Sequence, residues 1–267
     1  MGSNPTPRTR VQKMRLSTTL MLMVLGVVAI TVVSFLIPGK ERSPPFELKV
    51  RLVTPERCVY ESSGGDSRVR VVMELTSQVE LNGSMFYRIV GSIREEEEES
   101  FYMVREELLA SCNSLLPFMV NLTYINNSIT VAKLNMTFSQ ERGKVLICFH
   151  RVGLEKAKTA CIEPGRKVYD SLSELYFLRS ISWREGVVVR FYYLASDFKV
   201  EEVEASFAGY ENLTVPAGSF SCVRVFIKTP KQEIWLWISL APPHPIVQIE
   251  SRGEEKTLLK LVEYRSS

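Results

Sequence analysis

The pattern of hydrophobic and polar positions changes near residue 45. Beyond it, short runs rich in Val, Ile, Phe and Tyr alternate with turn signals, which is the pattern of a β protein. The dipeptide Asn82-Gly83 separates two of these runs, and it is the strongest short-range signal of a hairpin. The strand-like runs cover residues 68–76, 85–93, 101–104, 119–125, 129–138, 144–150, 159–162, 187–194, 202–207, 220–228, 233–240, 245–251 and 257–264.

A second turn has the sequence Val215-Pro216-Ala217-Gly218. Pro216 presets the first corner of a type I turn, and Gly218 can adopt the left-handed conformation that closes a three-residue hairpin loop. We therefore expect residues 211–215 and 219–228 to be antiparallel neighbours.

One helix is expected among the strands. The segment from Asp170 to Glu174 offers N-capping side chains, and Ser171 and Glu174 have the spacing of a capping box. Apolar residues then follow at helical spacing up to Arg179. A second short helix over residues 104–110 has weaker support from the pattern.

The first apolar run has a different character, because residues 16–37 contain no charge and four basic residues precede them. At about 1.5 Å per residue the run is roughly 33 Å long, enough to cross a bilayer core. A cleaved signal peptide is the main alternative, but such peptides have shorter apolar cores and end at a small-residue cleavage site that this run lacks. A buried core helix of this length would normally have a polar face.

The basic flank also sets the expected orientation, since positive residues remain in the cytoplasm. The predicted domains are a cytoplasmic basic tail (residues 1–15), a transmembrane signal-anchor (16–38), a linker (39–45) and an extracytoplasmic β domain (46–267). The expected location is the cell membrane, crossed once with the N-terminus inside. The 33 basic and 30 acidic residues of the chain give a net charge of +3, but residues beyond 42 are mildly acidic. The outer domain therefore lacks the basic surface that nucleic-acid binding requires.

Five asparagines open an Asn-x-Ser/Thr sequon, and all lie beyond the apolar run, where a glycosyl transferase could reach them. They are Asn82, Asn121, Asn126, Asn135 and Asn212. Accidental sequons on surface loops are the alternative interpretation. The five cysteines also lie beyond the run, where disulfides can persist. Cys148 and Cys161 are equidistant from a polar turn at residues 153–156, so a hairpin there predicts a disulfide between them.

From about residue 167 to 264 the chain resembles an uncharacterised cell-envelope family, known only as domain of unknown function 3108. The shared features are a helix that here runs from Asp170 to Arg179, a Val-Pro-Ala-Gly-Ser-Phe turn that begins at Val215, and a strand containing Trp235 that precedes Pro245-Ile246. The resemblance implies a strongly curved antiparallel sheet, similar to the half-barrels of lipoprotein-carrier proteins. It implies no established activity.

Residues suited to catalysis are few. The chain has two histidines, His150 and His244, and no nucleophile elbow, HExxH motif, phosphate-binding glycine loop or CxxC pair. His150 lies near Cys148, but an ordinary surface histidine is the simpler interpretation. The acidic run at residues 95–99 is more typical of a solvated strand connection than of a hard-metal site. We expect no enzyme, no metal and no cofactor.

The signal of most functional interest is apolar on both strand faces. In residues 233–240 one face carries aliphatic side chains and the other carries Trp235 and Trp237, while residues 187–194 include Phe191 and Tyr193. A half-solvated sheet would alternate apolar with polar residues, so these strands need cover on both faces. That cover is either a packed helix or second sheet, or an apolar groove for a lipid-like ligand lined by these four aromatic side chains.

The resulting expectation is a mainly β fold: a strongly curved antiparallel, half-barrel-like sheet with one or two short helices, preceded by one transmembrane helix. The leading functional hypothesis is non-catalytic binding of a lipid or other apolar envelope component near the membrane surface. The alternative is a cell-surface structural or protein-interaction module with a solid core. The sequence does not identify a protein partner.

Overall fold

A computed structural model describes residues 48–50, 52–62, 68–97, 100–153, 157–195, 197–253 and 256–266. Fourteen strands in these ranges form one antiparallel sheet, in the order β8-β7-β6-β5-β4-β3-β2-β1-β14-β13-β12-β11-β10-β9. The strands are β1 (Glu56–Ser62), β2 (Arg68–Leu81), β3 (Ser84–Glu97), β4 (Ser100–Ser111), β5 (Pro117–Asn126), β6 (Ile129–Ser139), β7 (Lys144–Arg151), β8 (Lys158–Ile162), β9 (Val188–Leu194), β10 (Val200–Val215), β11 (Gly218–Lys228), β12 (Glu233–Ser239), β13 (Ile246–Arg252) and β14 (Thr257–Ser266).

The sheet curves on itself without closing. Strands β8 and β9 are its two ends and do not pair in the described residues. Nevertheless, side chains from the neighbouring strands β5 and β6 line one small cavity together with the end of β9, which is far from them in the strand order. The mainly β, strongly curved antiparallel fold is therefore confirmed for the described residues.

The predicted anchor lies outside the part of the chain that the structure describes, as do the basic tail and the linker. No helix in the described ranges has both the length and the apolar character that a bilayer crossing needs.

The helix α1 (Ser171–Arg179) lies on the concave side of the sheet. Its N-cap is Asp170, whose Oδ1 accepts hydrogen bonds from the backbone N–H of Leu172 (2.8 Å) and Ser173 (2.9 Å). The Ser173 hydroxyl lies 3.0 Å from the Asp170 backbone nitrogen, which completes a capping box. The predicted helix is confirmed, but the predicted capping pair, Ser171 and Glu174, is wrong by one residue because Asp170 adopts the extended N-cap conformation.

Both predicted hairpins are present. Asn82 and Gly83 have positive φ angles of 51° and 74° and join β2 to β3 through a two-residue turn of type I′. Val215 pairs with Gly218 across the β10–β11 turn, so Pro216 and Ala217 form a loop of two residues rather than three. Gly218 has the predicted positive φ, at 137°.

Two predictions about secondary structure were wrong. Residues 104–110 belong to strand β4 and do not form a second helix, because β4 pairs along its length with β3 and β5. Strand β1 (Glu56–Ser62) was not predicted, although it lies in the middle of the sheet between β2 and β14.

The predicted disulfide is also not formed. The five cysteines are free thiols in the structure. The β7–β8 hairpin places Cys148 opposite Thr159 and Cys161 opposite Leu146, so the two cysteines are displaced by two residues along the strands rather than facing each other. The prediction assumed that two residues equally distant from the polar turn would face each other, but the register of β7 and β8 is different.

Candidate functional site

The concave side of the sheet is the natural place for an enclosed site, and α1 occupies it. Phe177 of α1 stacks on Tyr169 at 4.5 Å between ring centroids and meets the edge of Phe191 at 5.4 Å. Leu172 and Tyr176 are fully buried. Two small cavities lined by described residues lie beside the helix, with volumes of about 60 and about 30 Å³. Both are far smaller than a typical small-molecule site, so protein fills most of the described part of the concave side.

The backbone of β3 makes room for the helix. Gly91 faces α1, and a Cβ atom at this position would lie 3.2 Å from a methyl group of Leu172. A methyl group at this position would require the Leu172 side chain to shift by a few tenths of an ångström, and a larger side chain would require a larger displacement.

The four aromatic residues predicted to line one groove lie on two faces. Phe191 and Tyr193 face the concave side, and the Tyr193 hydroxyl donates to Glu201 Oε2 at 3.0 Å. Trp235 and Trp237 alternate with Leu236, which lines the concave cavity, so both tryptophans face the convex side. The structure therefore does not bring the predicted ligand-binding set together.

The tryptophans have their own partners on the convex face. The Trp237 side chain is buried, and its indole N–H donates to Glu211 Oε2 at 2.9 Å. Trp235 packs on Phe226 at 4.6 Å between ring centroids, with the Arg224 guanidinium 5.0 Å from its ring. Neighbouring side chains of the same sheet thus shield the two tryptophans on the convex face, where the sequence pattern predicted either a packed helix or second sheet or a ligand groove.

The C-terminal end of α1 carries a buried ion pair. Arg179 Nη1 and Nη2 donate to the two carboxylate oxygens of Glu56 at 2.5 and 2.9 Å, and both side chains are 1% exposed. Nη2 also donates to the Pro243 carbonyl at 2.7 Å. Bidentate geometry and an additional carbonyl acceptor satisfy most of this guanidinium. This pair fixes the end of the helix to the first strand.

The N-terminal end of α1 carries buried carboxyl groups. Glu106 of β4 and Asp170 are each 3% exposed. Burial holds the pKa of Glu106 well above its ordinary value, and the Asp170 charge raises it further. Burial also raises the pKa of Glu174 to about 8, again with a contribution from Asp170. Burial thus favours the protonated forms of Glu106 and Glu174. It also raises the pKa of Asp170, but the hydrogen bonds from Ser173 and Leu172 act in the opposite direction.

A depression lined by described residues lies on the outside of the molecule, where β1, β2 and β14 meet. It has a volume of about 410 Å³ and is lined by residues 55–57, 74–76 and 265–266. Arg57 pairs with Glu74 at 2.9 Å and with Glu263 at 3.4 Å, while Arg265 pairs with Glu263 at 2.9 Å. Alternating charges along the outer face leave this cleft nearly neutral, and more of its exposed lining is apolar than polar.

The sequons lie in different settings. Asn82 is exposed at the tip of its turn, and Asn212 accepts a hydrogen bond from Ser221 at 2.8 Å. Asn121 and Asn135 are directly opposite each other on β5 and β6, with 2.6 Å between Asn135 Nδ2 and Asn121 Oδ1. Asn126 ends β5. The glycosylation of these residues stays a prediction.

The remaining candidate residues show no shared site. His150 is exposed on β7, and His244 lies 3.0 Å from the Ser239 carbonyl in the β12–β13 connection. Among the described residues no group of three or more His, Cys, Asp or Glu side chains could hold a metal ion. Of the acidic run, Glu95 and Glu96 lie in β3, opposite Tyr102 and Phe101.

The polar residues at both ends of α1 were missed by the sequence analysis. A local signal existed for Glu106, because Val104, Glu106 and Leu108 alternate with exposed or half-buried positions and therefore share the buried face. No local signal pairs Glu56 with Arg179, which are 123 residues apart in the chain.

The chain resembles known proteins mainly in fold. A family model described as "Protein of unknown function (DUF3108)" matches residues 62–256. A β-barrel-like protein of the DUF1849 domain family from Brucella abortus superposes with a TM-score of 0.56 at 10% identity, covering 81% of this chain and 99% of that one. A search of curated proteins finds no match.

Two further solved structures are more distant. One is a proposed exported protein with a YmcC-like fold from Bacteroides fragilis, with a TM-score of 0.31, 13% identity and coverage of 79% of this chain and 96% of that one. The other is a proposed lipoprotein from Parabacteroides distasonis, with a TM-score of 0.30, 11% identity and coverage of 79% and 95%.

Proposed function

The chain belongs to the DUF3108 family of proteins of unknown function, and from this premise we propose that its β domain is a non-catalytic module of the cell envelope that acts through its outer surface. The observation that carries the proposal is the filling of the concave side by α1 and its aromatic neighbours, where the cavities that described residues line measure about 60 and 30 Å³. An enclosed small-molecule site usually offers about 300–1,000 Å³. This favours the solid-core interaction module over the apolar groove.

The outer cleft at β1, β2 and β14 is the proposed docking region. Its volume of about 410 Å³ and its combination of apolar lining with paired charges suit a protein segment that carries both apolar and charged side chains. The arginines there are already paired with Glu74 and Glu263, so a partner would exchange or extend these ion pairs.

The location proposed for the module is the outer face of the membrane, held by residues 16–38. The described chain begins beside the C-terminal end of α1, where the Lys49 N–H donates to the Ser180 carbonyl at 2.9 Å. If the anchor crosses the bilayer as predicted, this end of the sheet faces the membrane, and the sequons lie in the compartment where glycosylation occurs.

Native mass spectrometry of the full chain, extracted from its own membranes, tests the proposal. We expect the protein mass without a stoichiometric apolar adduct, together with a protein complex that survives gentle extraction. The variant Arg265→Glu should weaken that complex. Arg190→Glu is its matched control. Arg190 is similarly exposed and also pairs with a glutamate, Glu204, but both residues lie on strands far from the cleft. Equal effects of the two variants would contradict docking at the cleft.

An apolar ligand is the second candidate, and one observation supports it. The cavity of about 60 Å³ separates α1 from an apolar concave wall that includes Met73, Ile227 and Leu236. Displacement of the short helix would enlarge this space. A lipid adduct present at one copy per chain in the same mass spectra would favour this candidate and overturn the solid-core proposal.

A further inference from the structure

Two carboxyl groups meet inside the protein at the first turn of α1. Glu106 projects from the concave face of β4, where it lies opposite Gly91, and Asp170 is the N-cap of the helix. Each residue is 3% exposed, and both line the cavity of about 30 Å³. Their side chains are within hydrogen-bonding reach of each other.

The hydrogen bonds of these groups do not balance if both are ionised. Asp170 Oδ1 accepts two backbone N–H groups, from Leu172 and Ser173. In contrast, Asp170 Oδ2 and both carboxyl oxygens of Glu106 are buried without a protein donor. Because an ionised carboxylate only accepts hydrogen bonds, two of them cannot satisfy each other. One proton between them supplies the missing donor.

The described surroundings offer no cation to compensate a second negative charge. The cavity walls are mainly apolar, and the described residues that line it include no Lys, Arg or His, although Tyr124 and Ser171 contribute hydroxyl groups. The nearest titratable groups on the packed elements are themselves acids: Tyr124 of β5, Glu174 of α1 and, beyond Glu174, Tyr193 of β9. Lys231 pairs with Glu201 and Asp197 at the far side of Tyr193.

We propose that Glu106 and Asp170 form a proton-binding site in which one shared proton holds the first turn of α1 against the sheet. The proton resides on Glu106, because the two backbone N–H groups stabilise the ionised form of Asp170 alone. Glu106 then donates to Asp170 Oδ2, and the pair carries a single negative charge at the positive end of the helix. This inference does not depend on the proposed envelope function.

The site makes the docking of α1 sensitive to pH at one end. Loss of the proton would leave two adjacent buried carboxylates, whose repulsion and desolvation favour release of the first turn. The last turn would stay attached, because Arg179 is held by Glu56 and by the Pro243 carbonyl. Alkaline pH would therefore open the concave side from the Asp170 end.

Infrared spectroscopy of the full chain tests for the proton. The measurement uses a Glu174→Gln background, which removes the other glutamate with a raised pKa. At neutral pH we expect a C=O stretching band of a protonated carboxylic acid that disappears when Glu106→Gln is added and is unchanged when the control Glu107→Gln is added, because Glu107 pairs with Arg88 outside the core. Identical spectra with and without Glu106→Gln would overturn the proposal.

A second measurement does not depend on the folding of Glu106→Gln. Carbon-13 NMR in a Glu174→Gln chain should show one glutamate carboxyl that stays protonated well above the ordinary value of 4.5. Titration of every glutamate near that value would refute the site. Hydrogen exchange of the backbone amides at residues 172–175 reports opening of the first turn, once its intrinsic rate has been corrected for. At pH values above the ordinary pKa of a glutamate but below the pKa of Glu106 in the docked state, the corrected exchange rate should increase about tenfold per pH unit. An acceleration that is equal in Glu106→Gln would refute the link to helix docking.

Discussion

Arg179, at the last turn of α1, forms a two-pronged ion pair with Glu56, at the start of β1, and both side chains are 1% exposed. The pair connects the helix to a strand in the middle of the sheet. It therefore provides a direct measure of how much helix docking contributes to the stability of the domain.

Replacing one partner should be strongly destabilising. Arg179→Met leaves the Glu56 carboxylate buried without its counter-ion, and we expect a loss of about 3–5 kcal/mol in the free energy of unfolding. The double variant Glu56→Gln/Arg179→Met should lose less than the sum of the single variants, because no uncompensated charge remains. Urea denaturation measures all three. Arg190→Met, at an exposed pair, is the control and should change stability little. If Arg190→Met lost as much free energy of unfolding as Arg179→Met, burial of the ion pair would not explain the effect.

The close approach of α1 to β3 predicts a steric coupling between Gly91 and Leu172. Gly91→Val should destabilise the domain by about 1–3 kcal/mol, since its side chain would meet the Leu172 methyl groups. Gly91→Ala should cost less, because a shift of a few tenths of an ångström accommodates one methyl group. In a double-mutant cycle, Leu172→Ala should relieve part of the Gly91→Val cost. Simple additivity would show that the two residues do not collide.

Glu174 predicts an unusual pH dependence of stability. Burial raises its pKa to about 8 in the folded protein, above its ordinary value of 4.5. The folded state therefore binds the proton more tightly, so stability is greatest below about 4.5 and decreases as the pH rises through 8. Glu174→Gln should flatten this decrease in denaturation midpoints measured between pH 5 and 9. If the slope is the same in both proteins, Glu174 is not its source.

Thiol reactivity should separate the cysteines by burial. Cys161 is exposed on β8, whereas Cys58 is 1% exposed and Cys222 is fully buried. Burial raises the pKa of Cys58 to about 12 and that of Cys222 to about 11, so little thiolate is present at neutral pH. We expect a maleimide to modify Cys161 in the native protein and to reach Cys58 and Cys222 only after denaturation. Peptide mass spectrometry assigns the modified residues, and fast native labelling of Cys58 would contradict the packing described for β1.

The features predicted correctly from the sequence were those set by neighbouring residues. Asn82-Gly83 determines its turn because both residues tolerate positive φ, and Asp170 to Arg179 carries its own helix signals. The error over residues 104–110 has the opposite cause, since pairing of β4 with two strands overrides local helical spacing. The register of Cys148 and Cys161 likewise depends on cross-strand contacts rather than on distance from the turn.

The site was harder to predict because it combines distant parts of the chain. Trp235 and Trp237 were grouped with Phe191 and Tyr193 by composition, but the period of two along β12 places the tryptophans on the convex face. Glu106 meets Asp170, and Glu56 meets Arg179, only after the sheet has curved around α1. No spacing within a single element carries that information.

The position of β1 and β14 determines where the protein can be truncated. These two strands come from opposite ends of the domain, yet they pair with each other in the middle of the sheet. The matched family segment, residues 62–256, omits nearly all of both. A fragment with those boundaries would hold β2–β8 and β9–β13 as two separate ribbons, each with a newly unpaired strand available for association with other chains. Expression of the folded unit therefore requires residues on both sides of the family match.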